Sequence, residues 1–240
     1  MYFAKKKEKD RSHSFGHGTK IVEYFGLCGA GKTTVHKLIM KCVDNSKVIS
    51  FEPKRVSPIL LYLHALGIFT KMVAHHPIKT ILFLRYFSNR WIFLKLGLRI
   101  ASIKSRKFSR ISILKDCGIL QPIVSFEIEE NKTNKTVPAK EILDFLPLPD
   151  IVFFVRVNPD IAMSRYLARE SKLGHNYSKS ISLNRFKKGD KIANIMCQKL
   201  EECGVKVIEI LNNSDVAIEY SFIDRIINEV IGYECQDSQL

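Results

Sequence analysis

The chain has 240 residues, 46% of them hydrophobic and 26% charged, which is ordinary for a soluble globular protein and sufficient for one full core. Its formal net charge of +14 is not ordinary and points to an anionic partner, whether a nucleotide, a phosphorylated small molecule, nucleic acid or a membrane surface. Six scattered cysteines without a C-x-x-C pair argue against a zinc site and a disulfide framework, and no apolar run reaches the roughly 18–20 residues of a membrane span.

Residues 1–19 are predicted to form a flexible basic tail. They carry five lysines or arginines but no apolar segment of the kind found in a secretory signal. We therefore expect reduced thiols and a cytoplasmic location. Residues 20–240 are expected to form one domain.

Short apolar runs in this domain alternate with helical patterns. The predicted strands are Ile21–Gly26, Val48–Glu52, Ile111–Lys115, Ile151–Val157 and Val205–Leu211. The predicted helices are Lys32–Val43, Ser57–His75, Ile78–Ser105, Pro159–Lys172, Asn184–Cys203 and Val216–Ile231. This alternation predicts an α/β fold in which a five-stranded parallel sheet carries helices on both faces. Ligands of such sheets bind beyond the carboxyl ends of the strands.

A glycine-rich segment follows the first predicted strand. Gly26 to Thr33 matches the pattern G-x-x-x-x-G-K-[ST] at every fixed position, between a strand and a helix as the motif requires. Such a loop exposes successive N–H groups to phosphate oxygens, and its lysine and hydroxyl bind the β- and γ-phosphates and Mg²⁺ respectively. The motif predicts a three-layer P-loop NTPase fold. The predicted nucleotide-binding residues are Gly26, Cys28, Gly29, Ala30, Gly31, Lys32, Thr33 and Thr34.

Together with the segment from Leu146 to Glu170, LPLPDIVFFVRVNPDIAMSRYLARE, the loop resembles the nucleoside and nucleotide kinases, thymidylate kinases being the nearest broad group. The resemblance covers about residues 20–212. It implies that Arg165 and Arg169, four residues apart on one helix face, neutralise the transferring phosphoryl group and that Arg165 also contacts the nucleotide. It further implies a helical lid whose loop spans residues 171–183 and is followed by Arg185.

The resemblance also assigns roles to two carboxylates at strand ends. Glu52 precedes a proline, as does the residue that accepts the proton of the attacking hydroxyl in deoxynucleoside kinases, although a surface carboxylate ending a strand is the alternative. Asp116 is predicted to hold Mg²⁺ with Thr33. Cys117 follows where the family usually has arginine, so the acceptor's identity stays open. Gln121 is a candidate contact to the acceptor.

Residues 54–110 form a basic insert on the predicted acceptor side. From Lys54 to Lys115 the chain carries thirteen lysines or arginines and no acidic residue. Arg85 and Arg99 lie on the polar side of the predicted helix 78–105. Three interpretations are open: a solvated basic helix, a surface on anionic lipid, and an acceptor pocket lined by these arginines. The placement between the second and third strands of a kinase-like sheet favours the pocket.

We therefore expect an ATP- and Mg²⁺-dependent kinase that transfers the γ-phosphoryl group to an anionic or polar small molecule such as a nucleotide or nucleoside. The alternative is a P-loop ATPase or GTPase that acts as a regulatory or membrane-surface protein without an acceptor. The chain lacks the Asn-Lys-x-Asp motif of GTPases, and no motif supports nucleic-acid binding. The sequence leaves the oligomeric state open. A homodimer is one option, because the predicted helix at 78–103 is apolar enough to pack against a second copy.

Overall fold

A computed structural model describes residues 20–43, 48–51, 57–75, 77, 96, 99–100, 103, 111–114, 118–124, 143, 146–174 and 182–213. Strands and helices alternate along these ranges. The strands are β1 (Ile21–Phe25), β2 (Val48–Phe51), β3 (Ile111–Leu114), β4 (Ile151–Arg156) and β5 (Lys206–Leu211). The helices are α1 (Lys32–Cys42), α2 (Pro58–His75), α3 (Pro159–Lys172) and α4 (Leu183–Glu202).

The strands form a parallel sheet in the order β2-β3-β1-β4-β5. β1 lies in the middle, and its Glu23 is in register with Leu114 of β3 on one side and Val152 of β4 on the other. Parallel neighbours require crossover connections, and helices supply several of them here. The predicted α/β fold with a parallel sheet is confirmed, and the loops after β1, β4 and β5 leave from one edge of that sheet.

Alternating side chains of β1 enter two separate cores, one on each face of the sheet. Val22 and Tyr24 pack with α1 and α3. Ile21 and Phe25 pack with α4, with Leu96, Ile100 and Ile103, and with the segment 119–124. The central strands β1 and β4 are buried along nearly their whole length, as expected of strands covered on both faces. Helix, sheet and helix therefore form three layers.

Asp150 fastens the amino ends of three strands together. Its carboxylate Oδ2 accepts a hydrogen bond of 2.8 Å from the backbone N–H of Ile21, and its own N–H donates to the carbonyl of Ile21. Its carbonyl accepts from the N–H of Lys206 at the start of β5. The Pro-Asp pair before β4 thereby aligns β1, β4 and β5, so that their carboxyl ends meet at the same edge.

The predicted element bounds agree with the structure to within one residue at each strand and helix that it describes in full. Of the predicted helix 78–105 only Leu96, Arg99, Ile100 and Ile103 are described, and all four are helical. The tail 1–19 and the predicted helix 216–231 lie outside the described residues. A helical segment at 120–124 was missed because it is short and contains Pro122, which only the first turn of a helix tolerates well.

Within the described residues, no helix combines the length and the apolar character needed to cross a bilayer.

Candidate functional site

The loop between β1 and α1 has a shape that only glycine permits at several positions. Gly26, Gly29 and Gly31 all have positive φ angles, of 141°, 84° and 87°. A Cβ atom on Gly26 would lie 2.3 Å from the carbonyl oxygen of Val155, and one on Gly29 would lie 2.2 Å from that of Ala162. The loop is therefore pressed against the backbone of β4 and α3. In loops of this shape successive backbone N–H groups can face a phosphate, although the N–H of Ala30 donates here to the carbonyl of Leu27 at 3.2 Å.

Lys32 crosses the mouth of this loop at the first residue of α1. Its Nζ donates hydrogen bonds to the carbonyl oxygens of Gly26, at 2.9 Å, and Leu27, at 2.8 Å. The next two residues, Thr33 and Thr34, are exposed at the amino end of the 11-residue helix, where the helix dipole favours negative charge. Backbone N–H groups, an ammonium and exposed hydroxyls suit the phosphates of a nucleoside triphosphate. The Thr33 hydroxyl is also a suitable ligand for Mg²⁺.

Asn212, which follows β5, closes the loop from the other side. Its side-chain Nδ2 donates to the carbonyl oxygen of Ala30 at 2.7 Å and would lie 2.3 Å from a Cβ on Gly31. Its backbone N–H donates to the carbonyl of Arg156 at 2.8 Å, which fixes it at the end of the sheet. Asn212 was not among the predicted site residues. The available signal was an amide side chain directly after a strand that ends beside the loop.

The two arginines predicted on α3 occupy different surroundings. Arg165 donates from Nη1 to the backbone carbonyl of Asn212 at 3.0 Å, which places it beside the phosphate loop. Arg169, one turn later, lies over the ring of Tyr166 with 5.2 Å from its guanidinium carbon to the ring centre. It also pairs with Glu170 at 3.0 Å, but its side chain is 57% exposed, so solvent screens that ion pair.

Tyr166 is the centre of a group of side chains next to the loop. Its ring lies 6.0 Å from that of Phe186, and its backbone nitrogen would lie 3.2 Å from a Cβ on Gly29. Burial raises the pKa of Tyr166, Glu170 and Cys28 raise it further, and Arg169 and Arg185 oppose them. Three predicted site residues, Arg169, Cys28 and Gly29, therefore gather with Arg185 around one tyrosine.

A buried carboxylate lies beneath the loop that follows β3. Glu23 in β1 is fully buried, and its Oε1 accepts a hydrogen bond of 2.7 Å from the N–H of Leu120. Burial raises the pKa of Glu23 from its ordinary 4.5 to about 7, against hydrogen bonds from the 119–121 backbone and the charge of Arg99. A Cβ on Gly118 would lie 2.1 Å from the Glu23 carboxyl carbon. The carboxylate thus fits under residues 118–121 without space to spare.

Glu23 was not among the predicted site residues, and its strand was predicted only to be buried. An acidic residue inside an apolar strand was the available signal, because a buried carboxyl group needs partners. Two of the predicted acceptor-side residues lie around it. Gln121 is buried in the helical segment 120–124, and Arg99 donates from Nη1 to the carbonyl oxygen of Gly118.

The other predicted acceptor-side residues, Glu52 and Arg85, lie outside the described residues. So do the predicted Mg²⁺ ligand Asp116, its neighbour Cys117 and most of the loop at 171–183. Their roles stay predictions. The described part of the site therefore consists of the phosphate loop, α3, the end of β5, and the Glu23 cluster below the loop after β3.

No protein-family model and no curated protein matches this chain. Solved structures of deoxyadenosine kinase from M. mycoides are similar to it. The structure with bound dCTP shares 16% identity at a TM-score of 0.51 and covers 89% of this chain and 100% of its own. The structure with bound dATP shares 19% identity at a TM-score of 0.51 and covers 87% and 98%. At these identities the likeness establishes a shared fold.

Proposed function

We propose that this chain, which has the fold of P-loop kinases, is an ATP-dependent kinase that transfers the γ-phosphoryl group to a nucleoside, a nucleotide or a related metabolite. The observation that carries the proposal is the phosphate loop itself. Gly26, Gly29 and Gly31 hold it against neighbouring backbone, and the Lys32 ammonium crosses its mouth at the carboxyl edge of a parallel sheet. This arrangement is suited to binding the phosphates of a nucleotide.

On the donor side, the chain's own groups would provide positioning and charge. Lys32 would exchange the carbonyls of Gly26 and Leu27 for the oxygens of the β- and γ-phosphates. Arg165, held beside the loop by Asn212, would neutralise charge on the transferring group, and Arg169 would join it when the segment at 171–183 closes as a lid. A Mg²⁺ ion bound by Thr33 and Asp116 would supply further neutralisation at the phosphates.

On the acceptor side, Glu52 would accept the proton of the attacking hydroxyl. Gln121, Arg85 and Arg99 would bind the acceptor, with the basic insert forming its pocket. The similar M. mycoides proteins are deoxyadenosine kinases with deoxynucleotides bound, which supports a nucleoside or nucleotide as the acceptor class. A cytoplasmic location belongs to this proposal, because nucleotides and ATP are available there.

Product analysis tests the proposal. The purified chain is incubated with Mg-ATP and panels of nucleosides, nucleoside monophosphates and phosphorylated sugars, and products are separated by chromatography. We expect a phosphorylated acceptor that disappears in Lys32→Ala but persists in Lys37→Ala, which changes an exposed lysine of the same helix. Release of inorganic phosphate with every acceptor would contradict the proposal and favour the ATPase alternative.

A further inference from the structure

Helix α2 presents an apolar face to solvent. The exposed fractions are 73% for Ile59, 61% for Tyr62, 58% for Leu63, 57% for Leu66 and 41% for Val73. Their spacing of three, four and seven residues places them along one side of the helix. Single exposed apolar side chains are normal on a protein surface, but a continuous row of large ones marks a contact site.

The other exposed α2 positions that the structure describes add no charge to this face. Gly67 and Ala74 are small, and a Cβ on Gly67 would meet nothing within 4 Å. Thr70 turns its hydroxyl back to the carbonyl of Gly67 at 3.1 Å. Among the α2 side chains whose exposure the structure describes, none of the exposed ones is charged. Ile59 and Val73 lie 14 residues apart on this helix, so the apolar row is about 21 Å long at 1.5 Å per residue.

The charge of the surrounding sequence decides which partner suits this face. Residues 54–115, which include α2, carry thirteen lysines or arginines and no acidic residue. Two copies meeting through α2 would bring two such segments together with no carboxylate in either segment to offset the repulsion. An anionic lipid surface supplies the opposite charge and accepts apolar side chains at the same time. Tyr62 suits that boundary, since tyrosine rings concentrate at the level of the headgroups.

We propose that α2 docks this protein on an anionic phospholipid surface, with the helix in the plane of the interface and the row from Ile59 to Val73 inserted among the headgroups and upper acyl chains. The basic residues of the flanking sequence provide the electrostatic part of the attraction. The acceptor pocket proposed above also draws on residues 54–110, but its contacts are assigned to Arg85 and Arg99. The present proposal concerns only the exposed face of α2 and no step of the reaction, so either proposal can fail without the other.

Vesicle co-sedimentation tests it with the full chain. The probes are vesicles of pure phosphatidylcholine and vesicles with about one third phosphatidylglycerol. The test variant is the double substitution Leu63→Gln and Leu66→Gln, which keeps every charge and uses a residue with good helix propensity. The control is Leu173→Gln with Ile195→Gln, which removes two exposed apolar side chains away from α2. Circular dichroism and thermal melting verify that both variants stay folded.

We expect the wild type and the control to bind the anionic vesicles alike and the α2 variant to bind at least about tenfold more weakly, with little binding of any form to phosphatidylcholine. Equal binding by all three forms would overturn the proposal, because the attraction would then be charge alone. Absence of wild-type binding would also overturn it. A wild-type dimer that the α2 variant dissociates, seen by analytical ultracentrifugation, would assign the face to a second copy instead.

Discussion

Gly29 in the phosphate loop and Gly118 in the loop after β3 are equally crowded, but by different kinds of neighbour. The contrast distinguishes the donor side of the site from the acceptor side. A Cβ on Gly29 would meet the backbone carbonyl of Ala162 at 2.2 Å, whereas one on Gly118 would meet the carboxyl carbon of Glu23 at 2.1 Å. The phosphate loop is thus shaped by backbone, which has no titratable group. The loop after β3 is shaped by an ionisable side chain. We expect the first to be insensitive to pH and the second to depend on it.

The largest effect is expected on the donor side, from Lys32→Ala. Its ammonium is the cation that crosses the loop mouth, and removing such a group from a developing negative charge costs about 100-fold or more in turnover, or about 2.7 kcal/mol. Steady-state kinetics with Mg-ATP and the identified acceptor measure it. Melting temperature should barely change, because the lysine's bonds go to a loop already held by its backbone. Wild-type turnover in this variant would contradict the assignment of this loop as the site where phosphoryl transfer is catalysed.

The next largest effect is expected from the ionisation of Glu23, the carboxylate beneath the loop after β3. Glu23 has a pKa of about 7 when folded and 4.5 ordinarily, so between these values the folded state keeps a proton that the unfolded chain has released. Stability therefore falls as pH rises through this window, by about 3 kcal/mol when the window is complete. Arg99 is the charged group that opposes the shift.

Glu23→Gln keeps a side-chain oxygen that can accept the hydrogen bond from the Leu120 N–H, but its amide group cannot ionise. We expect its free energy of unfolding, measured with urea at pH 5 and pH 8, to fall less over that interval than the wild type's. The difference between the two proteins isolates Glu23 from the other carboxylates. Parallel curves would show that the ionisation of Glu23 does not control stability, and the proposed contrast between the two sides would fail.

Sequence reading succeeded where a pattern is repeated or fixed by backbone. The strands are apolar runs. Helix α3 begins with Asn158, whose side chain caps it by accepting from the N–H of Asp160, and with a proline in its first turn. The phosphate loop is a sequence motif whose glycines are required by their positive φ angles. It failed where the reason for a residue lies far away in the chain. Glu23 binds Leu120 and Asn212 binds Ala30, contacts separated by 97 and 182 residues. No local spacing encodes either contact.

A matched pair of glycines sharpens the idea that backbone crowding shapes the phosphate loop. Gly29 and Gly204 have φ angles of 84° and 83°, but nothing lies within 4 Å of a Cβ on Gly204. Gly29→Ala should therefore lose about 2 kcal/mol more stability than Gly204→Ala, since both variants pay the same backbone strain and only one collides with α3. Urea unfolding of the two variants measures the difference. Equal losses would mean that the loop moves away from α3 without cost.

The smallest expected effect tests whether the loop's closure from β5 matters for nucleotide binding. Asn212→Ala removes the 2.7 Å bond to the carbonyl of Ala30 but keeps the backbone carbonyl that binds Arg165. Asn213→Ala removes a bond of the same length, from the N–H of Asn158, at the start of α3. Each variant should lose about 1 kcal/mol of stability, the usual net value of one hydrogen bond.

Only the first variant should weaken Mg-ATP binding, by about fivefold in Kd measured by isothermal titration calorimetry, because of the two asparagines only Asn212 contacts the phosphate loop. Asn213→Ala serves as the control for a general loss of stability. Equal weakening in both would mean that ATP affinity follows overall stability rather than this contact. Unchanged affinity in Asn212→Ala would mean that the phosphate loop keeps its shape without the Asn212 contact. The backbone contacts at the loop glycines would then be sufficient to hold it.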